Sequence, residues 1–226
     1  SWEVSDDGLA YTLNLRKGIH WSDGEAMTAD DLLFWYEDVF LNELIGLPEP
    51  FAQTTGFEKV DDFTVKFMLD AINVNFPKDV GHSHAVRAFC NPEHYGKLFH
   101  EKYAENLDAL VEEAGLDTWD QLYNQKCGHM IAHIWERGGT PQIGAYIGDT
   151  EGEITGATMS YSAVRNPYYW KLDSAGQQLP YIDYVAHQIV EDPETIPLLV
   201  SAGDVDYQEG QGINSTQNLP VYLENA

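Results

Sequence analysis

Apolar and polar positions alternate along YTLNLR (11–16), the pattern of a strand with one face buried. The same alternation returns in FTVKFML (63–69), and with FEKV (57–60) and the Asp61-Asp62 turn it predicts a β-hairpin. Between them the period changes. Leu32, Leu33, Trp35, Tyr36, Val39 and Phe40 recur at helical spacing and predict a helix over about 28–42. Thr28 is placed to cap its first turn, and Asp31 to return the bond as in a capping box. Tyr103, Leu107, Leu110 and Val111 predict a second helix over 101–114, closed by Gly115. A third is predicted from Thr118 through Trp119, Leu122 and Tyr123 as far as Trp135, with Gly128 as a point of interruption. Residues 71–100 read as irregular. Residues 142–157 are rich in glycine and acids and read as a loop and domain boundary, followed by a strand over 157–164.

The C-terminal third has a different grain. An aromatic, turn-rich stretch, RNPYYW (165–170), leads to LPYID (179–183) and then to a β-branched run, YVAHQIV (184–190). A helix follows over 192–202, with Thr195 as cap and Pro197 in the first turn, ended by Gly203. A second strand is predicted over 204–208. Strand, helix and strand over 184–208 predict a βαβ unit with parallel pairing.

Composition narrows the function. Hydrophobic residues make up 43% of 226, enough for a core. Lys and Arg number 12 against 37 Asp and Glu, a formal net charge of −25. That charge opposes nucleic acid, whose phosphates need a basic face, and it opposes anionic membrane surfaces. No apolar run has the length of a membrane span. The N-terminus lacks the basic and apolar regions of a signal peptide, and the chain reads as a piece of a longer one.

Chemistry-bearing residues are sparse. Cys90 with His94, and Cys127 with His129 and His133, are the candidate metal ligands; His129 and His133 share a helix face at i,i+4 spacing. The spacing matches no standard zinc motif, and disulfide, free thiol and metal ligand all stay open for the two cysteines. Nucleophile-elbow, zinc-protease, phosphate-loop and dinucleotide motifs are absent, so no catalytic residue is assigned and no cofactor is expected. WSDG (21–24) reads as turn chemistry around a core tryptophan.

YTLNLRKGIHWSDG (11–24), followed by MTADD (27–31), resembles the opening signature of the family 5 extracellular solute-binding proteins. These are the oligopeptide-, dipeptide- and nickel-type receptors of ABC importers. RNPYYWK (165–171) with LPYID (179–183), and SAGDVD (201–206), resemble that family's second and third blocks. The resemblance implies an α/β fold: a mixed α+β accessory domain over 1–155, then part of a periplasmic-binding-protein type II lobe over 156–226. It implies a monomeric receptor, not an enzyme, that closes on its ligand and delivers it to a membrane permease. Its place would be the periplasm, or the cell surface as an anchored lipoprotein. Peptides are the first ligand class implied. Oligosaccharides are the alternative, because residues 165–183 are similar to versions found among sugar-binding members. The resemblance sets the interlobe cleft near the end of the second βαβ strand, and ligands in open α/β sheets bind at the carboxyl ends of strands. Tyr207, Gln208 and Gln211 are therefore the expected ligand-facing residues. A zinc-stapled interaction module is the reading from another class, and a carboxylate-pair hydrolase the third.

Overall fold

The computed structural model describes residues 1–45, 51, 53–81, 91–127, 139–148, 160–188, 190, 192 and 195–207. Two antiparallel sheets organise them. The first contains β1 (Trp2–Val4), β2 (Ala10–Asn14), β3 (Thr54–Asp61) and β4 (Thr64–Leu69), in the order β1-β2-β4-β3. The second contains β5 (Tyr146–Gly148), β6 (Ser160–Arg165) and β7 (Tyr184–Gln188), in that order.

The alternation read from the sequence sets the inward face of the first sheet. In β4, Val65, Phe67 and Leu69 are buried and their neighbours are not. Tyr11 on β2 and Phe57 on β3 stand opposite Phe67 in register, so the three side chains share a face. Against that face lies α1 (Ala29–Phe34). Its capping box forms as expected. Thr28 Oγ1 accepts from the Asp30 N–H at 3.2 Å, and Asp31 Oδ2 accepts from the Thr28 N–H at 2.8 Å.

The helix does not run regularly to residue 42. From Trp35 to Phe40 it widens into a π-helix, and the Leu41 N–H reaches the Tyr36 carbonyl five residues back. Trp35, Tyr36 and Val39 are buried on this wider turn. Trp35 meets Phe51 edge-on at 4.8 Å, and Tyr36 stacks on Phe57 at 5.2 Å. The core is thus an aromatic cluster between one helix and one sheet face, extended by Phe76, Tyr123 and Cys127.

Residues 71–100 hold two short helices where irregular chain was expected: α2 (Phe76–Val80) and α3 (Glu93–Gly96). The helix expected over 101–114 shortens to α4 (Leu107–Glu113). Its intended first anchor, Tyr103, leaves the helical pattern to donate its hydroxyl to Asp38 Oδ2 at 2.7 Å. Lys102 Nζ donates to Asp38 Oδ1 at 2.9 Å, and His100 Nε2 lies 2.9 Å from the Asp38 carbonyl. The turn at 100–103 thus brings three side chains onto one residue, Asp38. The Asp38 carboxylate holds the Lys102 ammonium far above the ordinary lysine value. The third helix forms as α5 (Trp119–Cys127); its expected continuation past Gly128 lies outside the described residues.

Two expectations for the second half are corrected. A strand, β5, forms inside the supposed loop 142–157, because Tyr146–Gly148 finds a ladder partner in Ala163–Arg165. The βαβ unit over 184–208 is not built over its described residues. The strand β7 pairs antiparallel with β6, and α6 (Ile196–Ala202) follows it. Gly203 then takes φ +79 and closes the helix with a left-handed residue, as expected. Beyond it, residues 204–207 carry no strand, having no ladder partner among the described residues. Thr195 does not cap α6 with its side chain; its hydroxyl donates to the Asp192 carbonyl instead.

Candidate functional site

Two of the stretches singled out in the sequence, WSDG and RNPYYW, come together at one place. WSDG folds as a tight turn: the Gly24 N–H donates to the Trp21 carbonyl at 2.9 Å, and the Trp21 N–H to the Glu25 carbonyl at 2.8 Å. Gly24 sits at φ +95, which a side chain would oppose. Trp21 is fully buried, as expected of a core residue. Its indole N–H faces the Asp31 carboxylate without closing a hydrogen bond to it.

Asp31 is the centre of that corner. Its Oδ1 accepts from the Glu93 N–H at 2.9 Å, across 62 positions of sequence, while Oδ2 serves the cap. Burial pushes its carboxyl above the ordinary 3.8, and the two backbone N–H donors offset this only in part. Because the folded value exceeds the unfolded one, Asp31's contribution to stability is full below pH 3.8 and is lost as pH rises through the folded value. In a carbon-13 NMR titration, Asp31 is expected to titrate above 3.8, while Asp7 and Asp61, held down by hydrogen bonds, titrate below it. An Asp31 midpoint at or below theirs would refute the burial argument.

The RNPYYW stretch packs on the WSDG turn. A Cβ at Gly24 would lie 2.9 Å from the Tyr168 hydroxyl, so the turn passes directly under that ring. His20 lies 6.0 Å from the same ring, centroid to centroid. The Arg16 guanidinium stands over the Trp170 ring at 4.8 Å. Ser22 Oγ accepts from the Gln142 N–H at 3.0 Å. Asn166, fully buried, donates from Nδ2 to the carbonyls of Gln142 and Gly144 at 3.3 and 2.9 Å, and its Oδ1 accepts from the Tyr168 N–H at 2.9 Å. The aromatic stretch is a joint between the end of β6 and the segment 16–24 that links β2 to α1. Sequence reasoning named Tyr168, Tyr169 and Trp170 but missed Asn166, Gln142, Arg16 and His20. The Asn-Pro pair at 166–167 was the available signal for Asn166, since Asn before a turn bonds its own backbone.

Beyond the joint, residues 171–183 form a small loop closed by the Leu172–Gln178 bridge. Tyr181 donates its hydroxyl to Asp173 Oδ2, and the Gln177 and Ala175 N–H groups donate to Oδ1. These donors, the tyrosine hydroxyl first, hold the Asp173 carboxyl below the usual range. Tyr181, Ile182, Tyr184 and Leu172 are exposed beside it.

The expected ligand-facing residues are only in part described. Tyr207 is 77% exposed after α6, and Gln208 and Gln211 lie outside the described residues. The strand that was to present them is not formed over 204–207. Of the candidate metal ligands, Cys90, His129 and His133 lie outside the described residues. His94 pairs with Asp23 Oδ2 at 2.7 Å on the surface, and Cys127 is buried in the aromatic core. Among the described residues no three His, Cys, Asp or Glu gather as a metal centre would need. No described helix is long and apolar enough to cross a membrane.

Residues 1–118 match the family described as bacterial extracellular solute-binding proteins, family 5 Middle. The chain is 30% identical over 195 residues to the periplasmic alpha-galactoside-binding protein of Rhizobium meliloti (strain 1021), covering 84% of this chain and 24% of that protein. It superposes on an oligopeptide-binding protein OppA with a TM-score of 0.84 at 34% identity, over 100% of this chain and 35% of that one. It superposes on the periplasmic binding protein MelB of Agrobacterium fabrum C58, solved with stachyose, with a TM-score of 0.72 at 32% identity, over 100% and 30%. The chain thus spans a quarter to about a third of the length of these relatives.

Proposed function

Because the chain belongs to the bacterial extracellular solute-binding proteins of family 5, we propose that it is part of the receptor that captures a solute outside the cytoplasmic membrane for an ABC importer. The observation that carries this is the superposition of the whole chain on OppA. Capture proceeds by closure of two lobes, and the closed state is selected by contacts the open one lacks. The chain contributes an accessory domain over 1–155 and part of a lobe over 156–226. It does no chemistry of its own, works as a monomer, and hands its ligand to a membrane permease. Periplasm or an anchored surface lipoprotein is its place, in keeping with the family's extracellular description.

An oligopeptide is the ligand we put first, supported by the likeness to OppA. A second reading, an oligosaccharide of the α-galactoside type, has its own support: the alpha-galactoside-binding relative aligns over 84% of the chain, and MelB is solved with stachyose. Tyr207, Gln208 and Gln211 are the ligand-facing residues we propose; the exposure of Tyr207 supports an aromatic surface open to a ligand.

Calorimetric titration of the full polypeptide with oligopeptide and α-galactoside panels tests this. One class should bind at one site per chain, and Tyr207→Ala should weaken that class roughly tenfold, the scale of one lost aromatic contact. Silence toward both panels sinks the capture reading, and an unchanged affinity in Tyr207→Ala removes that residue from the site.

A further inference from the structure

We propose that Asn166 is a positioning residue: its side-chain amide ties the lead into β5 to the aromatic stretch after β6, and through the contacts of both with residues 16–24 it sets the relation in which the second sheet and the first meet the ligand. What the joint serves rests on the capture reading; that it holds the sheets together does not.

Both ends of the amide are engaged. Its nitrogen faces two carbonyls, Gln142 and Gly144, and its oxygen faces the Tyr168 N–H. The backbone repeats the connection, with the Asn166 N–H donating to the Ala145 carbonyl at 2.9 Å and the Tyr169 N–H to the Asn166 carbonyl at 3.2 Å. Two stretches of chain therefore meet at one buried side chain: the lead into β5, and the aromatic stretch that leaves β6. Both then reach residues 16–24, which follow β2 of the first sheet. The Gln142 N–H bonds Ser22 Oγ, Tyr168 lies over Gly24 and beside His20, and Trp170 takes the Arg16 guanidinium.

Asparagine is the residue this geometry asks for. Aspartate would keep the acceptor for Tyr168 but set an oxygen against two carbonyls. Alanine would keep neither. A buried amide with donors and acceptor all engaged fixes direction more narrowly than apolar packing, because hydrogen bonds weaken steeply off axis. Around Asn166 the fixed direction is that of β6 relative to the WSDG turn.

The test is a distance measurement that needs no ligand. Nitroxides are placed at Glu58→Cys on β3 and Gln188→Cys on β7, both exposed, in the full polypeptide with Cys90→Ser and Cys127→Ala. Wild type should give one narrow distance distribution. Asn166→Ala and Asn166→Asp should broaden it about twofold, as loss of a whole network does. Val65→Ala, buried in the first sheet away from the joint, supplies a loss of melting temperature without that broadening. If the Asn166 variants broaden no more than Val65→Ala, or if Asn166→Asp matches wild type, the proposal is overturned. Should neither Asn166 variant fold, Ser22→Ala decides: it removes only the acceptor of the Gln142 N–H, and an unbroadened distribution overturns the proposal. Affinity is then read separately. If the wild type binds a ligand, Asn166→Ala should bind it roughly tenfold more weakly, because fewer molecules hold the competent arrangement. A wild type that binds neither panel defeats the capture reading and leaves the distance result standing.

Discussion

Replacing Phe67 with alanine is expected to lower the free energy of unfolding by about 3–5 kcal/mol, the range for deleting a large buried aromatic. Phe67 is fully buried, and rings from several elements pack around it. Phe57 meets it edge-on at 4.9 Å, Phe76 lies at 5.3 Å, Phe51 stacks at 6.0 Å and Trp35 stands at 6.5 Å. These neighbours come from β3, α2, the segment at residue 51 and the π-helix, so no one element can move in to fill the cavity. Phe67→Leu keeps most of the volume and should cost well under half as much. Guanidinium unfolding followed by tryptophan fluorescence measures both. An alanine variant within about 1 kcal/mol of wild type would mean that the site collapses, and that the cluster is not close-packed.

The second large effect runs against the usual rule. Glycine to alanine in a helix normally gains up to about 1 kcal/mol. At Gly96, the last residue of α3, the same change is expected to destabilise by about 1–3 kcal/mol, the scale of core overpacking. A Cβ there would lie 2.6 Å from Phe34 Cε1 and 2.9 Å from Cζ, with the Tyr123 hydroxyl at 3.3 Å. The Phe34 ring has little room to yield. It is 3% exposed and is flanked by His100 at 6.0 Å and Tyr103 at 6.2 Å. Pairing Gly96→Ala with Phe34→Leu should recover part of the loss, since the smaller side chain relieves the contact. Additive losses in that double-mutant comparison would show that the two residues do not press on each other.

What could be read from the sequence was what is decided locally. Thr28 and Asp31 are three residues apart, and their capping box needs nothing else. The alternation of Val65, Phe67 and Leu69 names its own buried face. WSDG contains the glycine that its turn requires. What could not be read depends on partners far along the chain. Tyr103 fits a helical face by spacing, yet Asp38, 65 residues upstream, draws it out of the helix. The strand β5 is short and glycine-rich, and only pairing with β6 makes it a strand. The pattern over 204–208 has the composition of a strand, but over the described residues 204–207 no ladder partner stands beside it. The same limit applied to the site. The aromatic stretch announced itself by composition, while Asn166, at its centre, is an ordinary residue until Gln142 and Gly144 are set beside it.

The π-helix of Trp35–Phe40 makes chain length as well as residue identity a constraint here. Each wide turn uses more residues than an α-turn, so losing one position would let the helix rewind regularly. Rewinding would swing Asp38 away from Lys102, Tyr103 and His100, and turn Phe40 off the core. A deletion at this point would therefore cost more than any conservative replacement within it. Among relatives that keep the aromatic core, the spacing between Thr28 and Asp38 should vary less than the residues that fill it.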